Sequence, residues 1–220
     1  MPKDAFAHVD AWVFDLDNTL YDYRCRLFDQ IDARMTRFIA EALDVDPAEA
    51  NTLRAEYWRV HGTTLHGLMS EHAMKPERFL DYVHDIDLTA VAENPALGAA
   101  IEALPGRKIV HTNGSRRHGE RVLARLGISE VFSGVYGIED SDYLPKPRRE
   151  AFERVIGAAA IAPRSAAMFE DTARNLEAPH ALGMRTVWTP TDDAHASDGA
   201  EGEHVHFVAH DLSAFLERLV

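Results

Sequence analysis

Residues 11–23 read AWVFDLDNTLYDY. Trp12, Val13 and Phe14 form an apolar run without polar alternation, the pattern of a strand buried on both faces of a parallel sheet. Asp15, Leu16, Asp17, Asn18 and Thr19 follow at once and read as the loop at that strand's carboxyl end. Ligands of open parallel sheets bind beyond the carboxyl ends of the strands. Two carboxylates two residues apart at the mouth of a buried strand repel each other, which costs stability unless something positive sits between them. The stretch therefore fixes a fold class and starts a search for that positive group.

Downstream of Asn94 the chain alternates short apolar strands with helical patterns. The helix PALGAAIEAL stops at Pro105 and Gly106, the strand RKIVHT follows, and the helix RRHGERVLARLG stops at Gly127. GVYGI, AAMFE, RTVWT and HVHFVA read as further strands, with REAFERVIGAAA, ARNLEAPHALG and SAFLERLV as the helices that accompany them. Such alternation specifies an α/β fold, a Rossmann-like doubly wound parallel sheet with helices on both faces. Residues 23–88 break the alternation, since they carry several helical patterns and no convincing strand. In CRLFDQIDARMTRFIAEAL the apolar positions Leu27, Ile31, Met35, Phe38, Ile39 and Leu43 share one helix face. Asp46 before Pro47 is a cap followed by a first-turn proline, Gly62 and Gly67 interrupt the pattern, and another helix begins near Pro76. The expected organisation is an α/β core of residues 1–22 and 89–220, with a small all-helical cap domain, residues 23–88, inserted after the first strand.

Bulk composition bounds what such a fold does. The chain has 220 residues, 46% of them hydrophobic and 27% charged, enough for one sizeable core plus a smaller unit. A net charge of −13 argues against binding nucleic-acid backbones and requires that an anionic substrate find local positive charge. The single cysteine, Cys25, permits no internal disulfide. MPKDAFAHVD lacks the apolar segment of a secretory signal, and no stretch approaches a membrane span, so the expected location is cytoplasmic, with no membrane partner.

The polar residues past each strand belong together. The first strand delivers Asp15 and Asp17; RKIVHT delivers Thr112, Asn113, Gly114 and Ser115 at a helix start; DYLPKP presents Lys146 between two prolines; AAMFE delivers Glu170 and Asp171. Carboxylates, a hydroxyl and a lysine at successive strand ends suit phosphoryl transfer: carboxylate oxygens bind a hard divalent cation such as Mg²⁺, and a carboxylate attacks phosphorus. The motifs DLDNTLY, HTN, KP and FEDTARN, in this order, resemble those of the haloacid dehalogenase-like hydrolase superfamily. Asn18 and Tyr21, the phrase HGTTLHGL and DYLPKP make the chain similar to its pyrimidine 5′-nucleotidase-like branch. The resemblance implies Asp15 as nucleophile and Mg²⁺ ligand. It implies Asp17 as general acid and base whose main-chain carbonyl also binds Mg²⁺, and Asp171 as a further metal ligand. Thr112 and Asn113 would hold phosphate oxygens, Lys146 would bridge phosphate and Asp15, and Glu170 and Asn175 would support the metal shell. His61 and Thr64 in the cap would approach the nucleoside. The expected substrate is a small phosphate monoester, a nucleotide above all, handled by a monomer or a homodimer.

Rival readings accompany this one. Phosphoglycolate or sugar-phosphate hydrolysis would use the same four motifs. A 2-haloacid dehalogenase needs neither Mg²⁺ nor an acid two residues past its nucleophile, which Asp17 supplies here. A non-catalytic signalling receiver would be about half as long, with its aspartate on a middle strand. Glu139 and Asp140 in GIEDSD mimic the Glu-Asp pair of FEDTARN, but they precede Lys146 and read as a solvated loop. Among the twelve histidines, His204, His206 and His210 suggest zinc without the spacing that would support it. Cys25, flanked by Arg24 and Arg26, reads as a packed helix residue.

Overall fold

The computed structural model describes residues 2–192 and 196–220. After a short helix α1 (Pro2–Phe6), strand β1 (Ala11–Phe14) enters the sheet, and four helices follow before any other strand: α2 (Leu27–Leu43), α3 (Pro47–His61), α4 (Thr64–His72) and α5 (Pro76–Val83). The alternating half then runs α6 (Pro95–Glu102), β2 (Arg107–His111), α7 (Arg116–Leu126), β3 (Gly134–Tyr136), α8 (Arg149–Ala158) and β4 (Ala166–Glu170). It closes with α9 (Glu177–Leu182), β5 (Arg185–Trp188), β6 (Phe207–Val208) and α10 (Leu212–Glu217).

All strand pairs are parallel, and the order is β3-β2-β1-β4-β5-β6. β1 is therefore central, and the chain's two halves wind outward from the β1/β4 boundary, where a crevice opens at the carboxyl ends. The apolar run of β1 is explained by burial on both sides. Trp12 and Phe14 join one apolar cluster while Ala11 and Val13 join the other, and β4 divides in the same way, Ala167 and Phe169 against Ala166 and Met168. Phe14 and Phe169 stack with centroids 4.7 Å apart, locking the two strands that carry the acidic motifs.

The inserted helices pack on one another and on the core. Phe38 of α2 meets Phe79 of α5 edge to face at 5.2 Å, and Leu27 and Ile31 belong to the same cluster as Trp12 and Phe14. Asp46 caps α3 as its sequence predicts, its carboxylate accepting from the amides of Ala48 and Glu49. The phrase HGTTLHGLM holds a tight turn between two helices: Gly62, at φ +87°, ends α3, and Thr63 caps α4 at once through the His66 amide, so that Gly67 does not interrupt the helical pattern as expected. Gly67 lies inside α4, where a Cβ would collide with the Tyr57 ring of α3. The last strand is shorter than HVHFVA, Phe207–Val208 alone. Among the described residues no helix is long and apolar enough to cross a membrane.

Candidate active site

Asp15 follows β1 directly, and its amide donates to the Phe169 carbonyl at 2.8 Å, so the β1/β4 ladder aims both acidic motifs into one crevice. Asn18 then adopts φ 61°, a left-handed turn that asparagine tolerates better than most residues, and folds the loop back. Thr19 Oγ1 donates to Asp15 Oδ2 at 3.0 Å.

The positive group required by this loop is Lys146. Its Nζ lies 2.6 Å from Asp15 Oδ1, 2.7 Å from Glu170 Oε2 and 3.1 Å from the His111 carbonyl, a complete set of partners for a buried ammonium. Asn113 fixes that lysine from outside: the Lys146 amide donates to Asn113 Oδ1 at 2.8 Å, and Asn113 Nδ2 donates back to the Lys146 carbonyl at 3.3 Å. Glu170 Oε1 accepts from Asn175 Nδ2 at 3.1 Å. Asp171 is buried beside it, with its own carbonyl taking the Trp188 indole N–H at 2.6 Å.

Asp15, Glu170 and Asp171 each offer an oxygen within 4.8 Å of the others'. Three buried carboxylates thus face one ammonium, and the imbalance is visible in the proton affinities of Asp15 and Asp171. Burial and then the Glu170 charge push Asp15 up to about 7, against the pull of Lys146. The same two causes, in the same order, raise Asp171 well above the usual carboxylate range. Burial opposes the charge on Lys146, but Asp15 and Glu170 outweigh it and hold the ammonium protonated. The donor set fits a hard divalent cation: oxygen-only ligands, clustered, buried and short of positive charge.

Asp17 lives differently. Its Oδ1 accepts from Tyr21 Oη at 2.8 Å and lies 3.0 Å from His118 Nε2, while Oδ2 faces Thr112 Oγ1 at 3.5 Å. Burial works to raise this carboxyl, yet His118 and then Tyr21 overcome it and hold the group below its usual value. Thr112 Oγ1 also accepts from the Gly114 amide at 2.9 Å, shaping the turn into α7.

A family model of haloacid dehalogenase-like hydrolases matches residues 9–183. The chain belongs to that family. Solved relatives agree on the fold. The HAD phosphatase of Thermococcus onnurineus superposes with a TM-score of 0.64 at 16% identity, covering 96% of this chain and 98% of the other. The magnesium-bound HAD-hydrolase YfnB of Bacillus subtilis gives 0.60 at 15%, covering 96% and 98%. The 2-haloacid dehalogenase of Pseudomonas syringae gives 0.57 at 20%, covering 96% and 100%. Both phosphatases and dehalogenases thus share the fold of this hydrolase.

The remaining predicted residues of the hydrolase fall elsewhere. His61 Nε2 is 2.9 Å from Glu71 Oε1, and the buried Thr64 hydroxyl donates to the Arg54 carbonyl at 3.3 Å. Their turn nevertheless approaches the lysine loop, since a Cβ on Gly62 would lie 3.4 Å from Pro145. A cavity of about 360 Å³ opens beside Asn18, lined by Tyr23, Arg24, Arg26 and Phe28. Glu139 and Asp140 stand outside the carboxylate cluster, on a single helical turn, Ile138–Ser141: Glu139 is exposed and accepts from the Arg116 amide at 3.1 Å, and the partly buried Asp140 pairs with the Arg116 guanidinium and accepts from the Gly137 amide. His206 bonds Thr186, and its ring lies 4.9 Å from that of His180 at a 45° tilt. No sequence motif marks His118, which is fully buried against Asp17. Its local signals are the Ser115 cap, which places it in the first turn of α7, and the buried stripe it shares with Val122 and Leu126.

Proposed function

We propose that this hydrolase is a Mg²⁺-dependent phosphomonoesterase working through an aspartyl-phosphate, with nucleoside 5′-monophosphates, pyrimidine ones above all, as substrates. The observation that carries the reading is the buried excess of carboxylate at Asp15, Glu170 and Asp171 around a single lysine. Displacement of halide from carbon has no use for such a cation site, nor for an acid at Asp17.

Asp15 and Asp171, supported by Glu170 and by the Asp17 main-chain carbonyl, would hold the cation. Bound there, it supplies charge neutralisation for the phosphoryl oxygens and keeps Asp15 ionised. Thr112 and the Asn113 amide receive phosphate oxygens, and Lys146 draws the same charge towards Asp15. A carboxylate oxygen of Asp15 attacks phosphorus as the bond to the ester oxygen breaks, and Asp17 gives its proton to that oxygen. Water then attacks the aspartyl-phosphate, Asp17 takes the water's proton, and inorganic phosphate leaves with Asp15 restored. These groups see only the phosphate, so discrimination among leaving groups falls to residues 23–88, acting as a cap, with His61 and Thr64 on the turn beside Pro145.

The test is phosphate release from UMP, CMP, dUMP, AMP, GMP, phosphoglycolate and glucose phosphates, with Mg²⁺ and with EDTA, beside chloride release from 2-chloropropionate. Metal-dependent phosphate release led by the pyrimidine nucleotides is expected. Turnover unaffected by excess EDTA, or halide release alone, would overturn the reading.

A further inference from the structure

We propose that His118 is a positioning residue that fixes the orientation of the Asp17 carboxylate, holding Oδ1 away from the substrate and leaving Oδ2 to face the ester oxygen; this rests on the phosphomonoesterase reading above. Asp17 Oδ1 is occupied by two partners, the Tyr21 hydroxyl at 2.8 Å and His118 Nε2 at 3.0 Å. An ionised carboxylate only accepts, so the Nε2–H tautomer of His118 donates to it. With Oδ1 engaged by two donors, Oδ2 is the oxygen left to meet the substrate. It is the one facing Thr112, at 3.5 Å, on the side where the proposed function puts the phosphate. In the reaction, the Oδ2–H bond breaks and its proton passes to the ester oxygen as that oxygen leaves phosphorus.

The surroundings of His118 are built to hold its ring. It is wholly buried, and His84 stacks on it with centroids 4.5 Å apart and planes 14° from parallel. His84 Nδ1 in turn lies 3.1 Å from Ser115 Oγ, the same hydroxyl that accepts from the His118 amide at 3.2 Å and so caps α7. A lone buried histidine serving only to fill space would not need a carboxylate on one ring edge and a second imidazole on its face. His84 comes immediately after α5, so the residue that ends the inserted helices also backs the one that holds Asp17.

The experiment compares kcat/KM for UMP, whose leaving group is an alkoxide needing a proton, with that for p-nitrophenyl phosphate, whose phenolate leaves without one. His118→Phe keeps ring volume and loses the donor; His118→Gln keeps a donor near the Nε2 position. His118→Phe is expected to lower kcat/KM for UMP by about 10²-fold, within the usual range of general-acid assistance, and for p-nitrophenyl phosphate by about threefold or less. His118→Gln is expected to recover most of the UMP rate. In an Asp17→Asn background His118→Phe should cost almost nothing further, because it acts through Asp17. Equal losses on both esters, no recovery with glutamine, or full additivity with Asp17→Asn would each overturn the proposal while leaving the phosphatase reading intact. Absence of phosphate release from either ester by the wild-type chain would overturn both.

Discussion

Asp15 and Asp17 stand two residues apart in opposite electrostatic surroundings. Asp15 faces other carboxylates and is pushed up to about 7, whereas Asp17 faces His118 and Tyr21 and is held below its usual value. A cation would offset the carboxylates around Asp15 and free it to attack phosphorus, whereas Asp17, held as the anion, is suited to take the proton of the water that attacks in the second step. Asp15→Asn is expected to abolish phosphate release with the fold retained, since an amide does not attack phosphorus; circular dichroism and a turnover assay check both halves. Asp17→Asn should be slower by about 10²–10⁴-fold, and a rate near wild type would remove Asp17 from the chemistry. The sequence discloses the Asp15, Lys146, Glu170 and Asp171 set because each lies directly past an apolar run or between prolines. His118 escapes it for a physical reason. Its inward direction follows the α7 stripe it shares with Val122 and Leu126, but its partners Asp17 and His84 belong to distant segments, and no local pattern records them.

At the level of elements, the central strands β1 and β4 are legible because burial on both sheet faces leaves uninterrupted apolar runs, whereas the half-exposed edge strand β6 is shorter than its sequence suggests. The α3–α4 hairpin is not legible, because its two glycines do different things. Gly62 supplies a positive φ at a helix end, while Gly67 makes room for Tyr57 between two packed helices, and composition alone does not separate the roles. Gly67→Val is therefore expected to lower the unfolding free energy by about 1–3 kcal/mol through overpacking, read from chemical denaturation. An unchanged midpoint would show that α3 and α4 part freely. The same hairpin abuts Pro145, so substitutions at His61, Thr64 or His66 should alter kcat/KM for UMP relative to AMP. p-Nitrophenyl phosphate, with no nucleoside to recognise, should change much less. A uniform loss over all three esters would remove the hairpin from the specificity account.

For the molecule as a whole, the site's charges couple stability to pH and to metal in opposite senses. Asp15 and Asp171 keep protons in the folded chain that they release near 3.8 when unfolded. Above about pH 4, and for Asp15 up to about 7, the folded state thus binds more protons, and these groups make stability fall as pH rises, by up to about 1.4 kcal/mol per pH unit for each proton held. Histidines act the other way. Burial, with the His118 ring beside it, holds His84 down to about 3, and burial with Lys146 keeps His111 well below its usual 6.5. The unfolded chain takes up those protons below 6.5, so this contribution is lost as pH falls. A divalent cation among the three carboxylates ionises Asp15 and Asp171 in the folded state, which cancels the first trend and leaves the second. Mg²⁺ should accordingly raise Tm little at pH 5 and clearly at pH 8, where a hundredfold excess over Kd corresponds to about 2.7 kcal/mol. Asp171→Asn should raise the Tm of the metal-free chain, because an amide needs no proton to be tolerated beside Asp15 and Glu170, and should largely abolish the Mg²⁺-dependent gain. Asp140→Asn, which touches only Arg116 and the Gly137 amide, should lower Tm slightly and keep that gain. Calorimetry of the three chains at both pH values, with Mg²⁺ and with EDTA, decides the matter. An equal Mg²⁺ effect at pH 5 and pH 8, or a gain that survives Asp171→Asn and vanishes with Asp140→Asn, would move the metal away from the β1/β4 crevice.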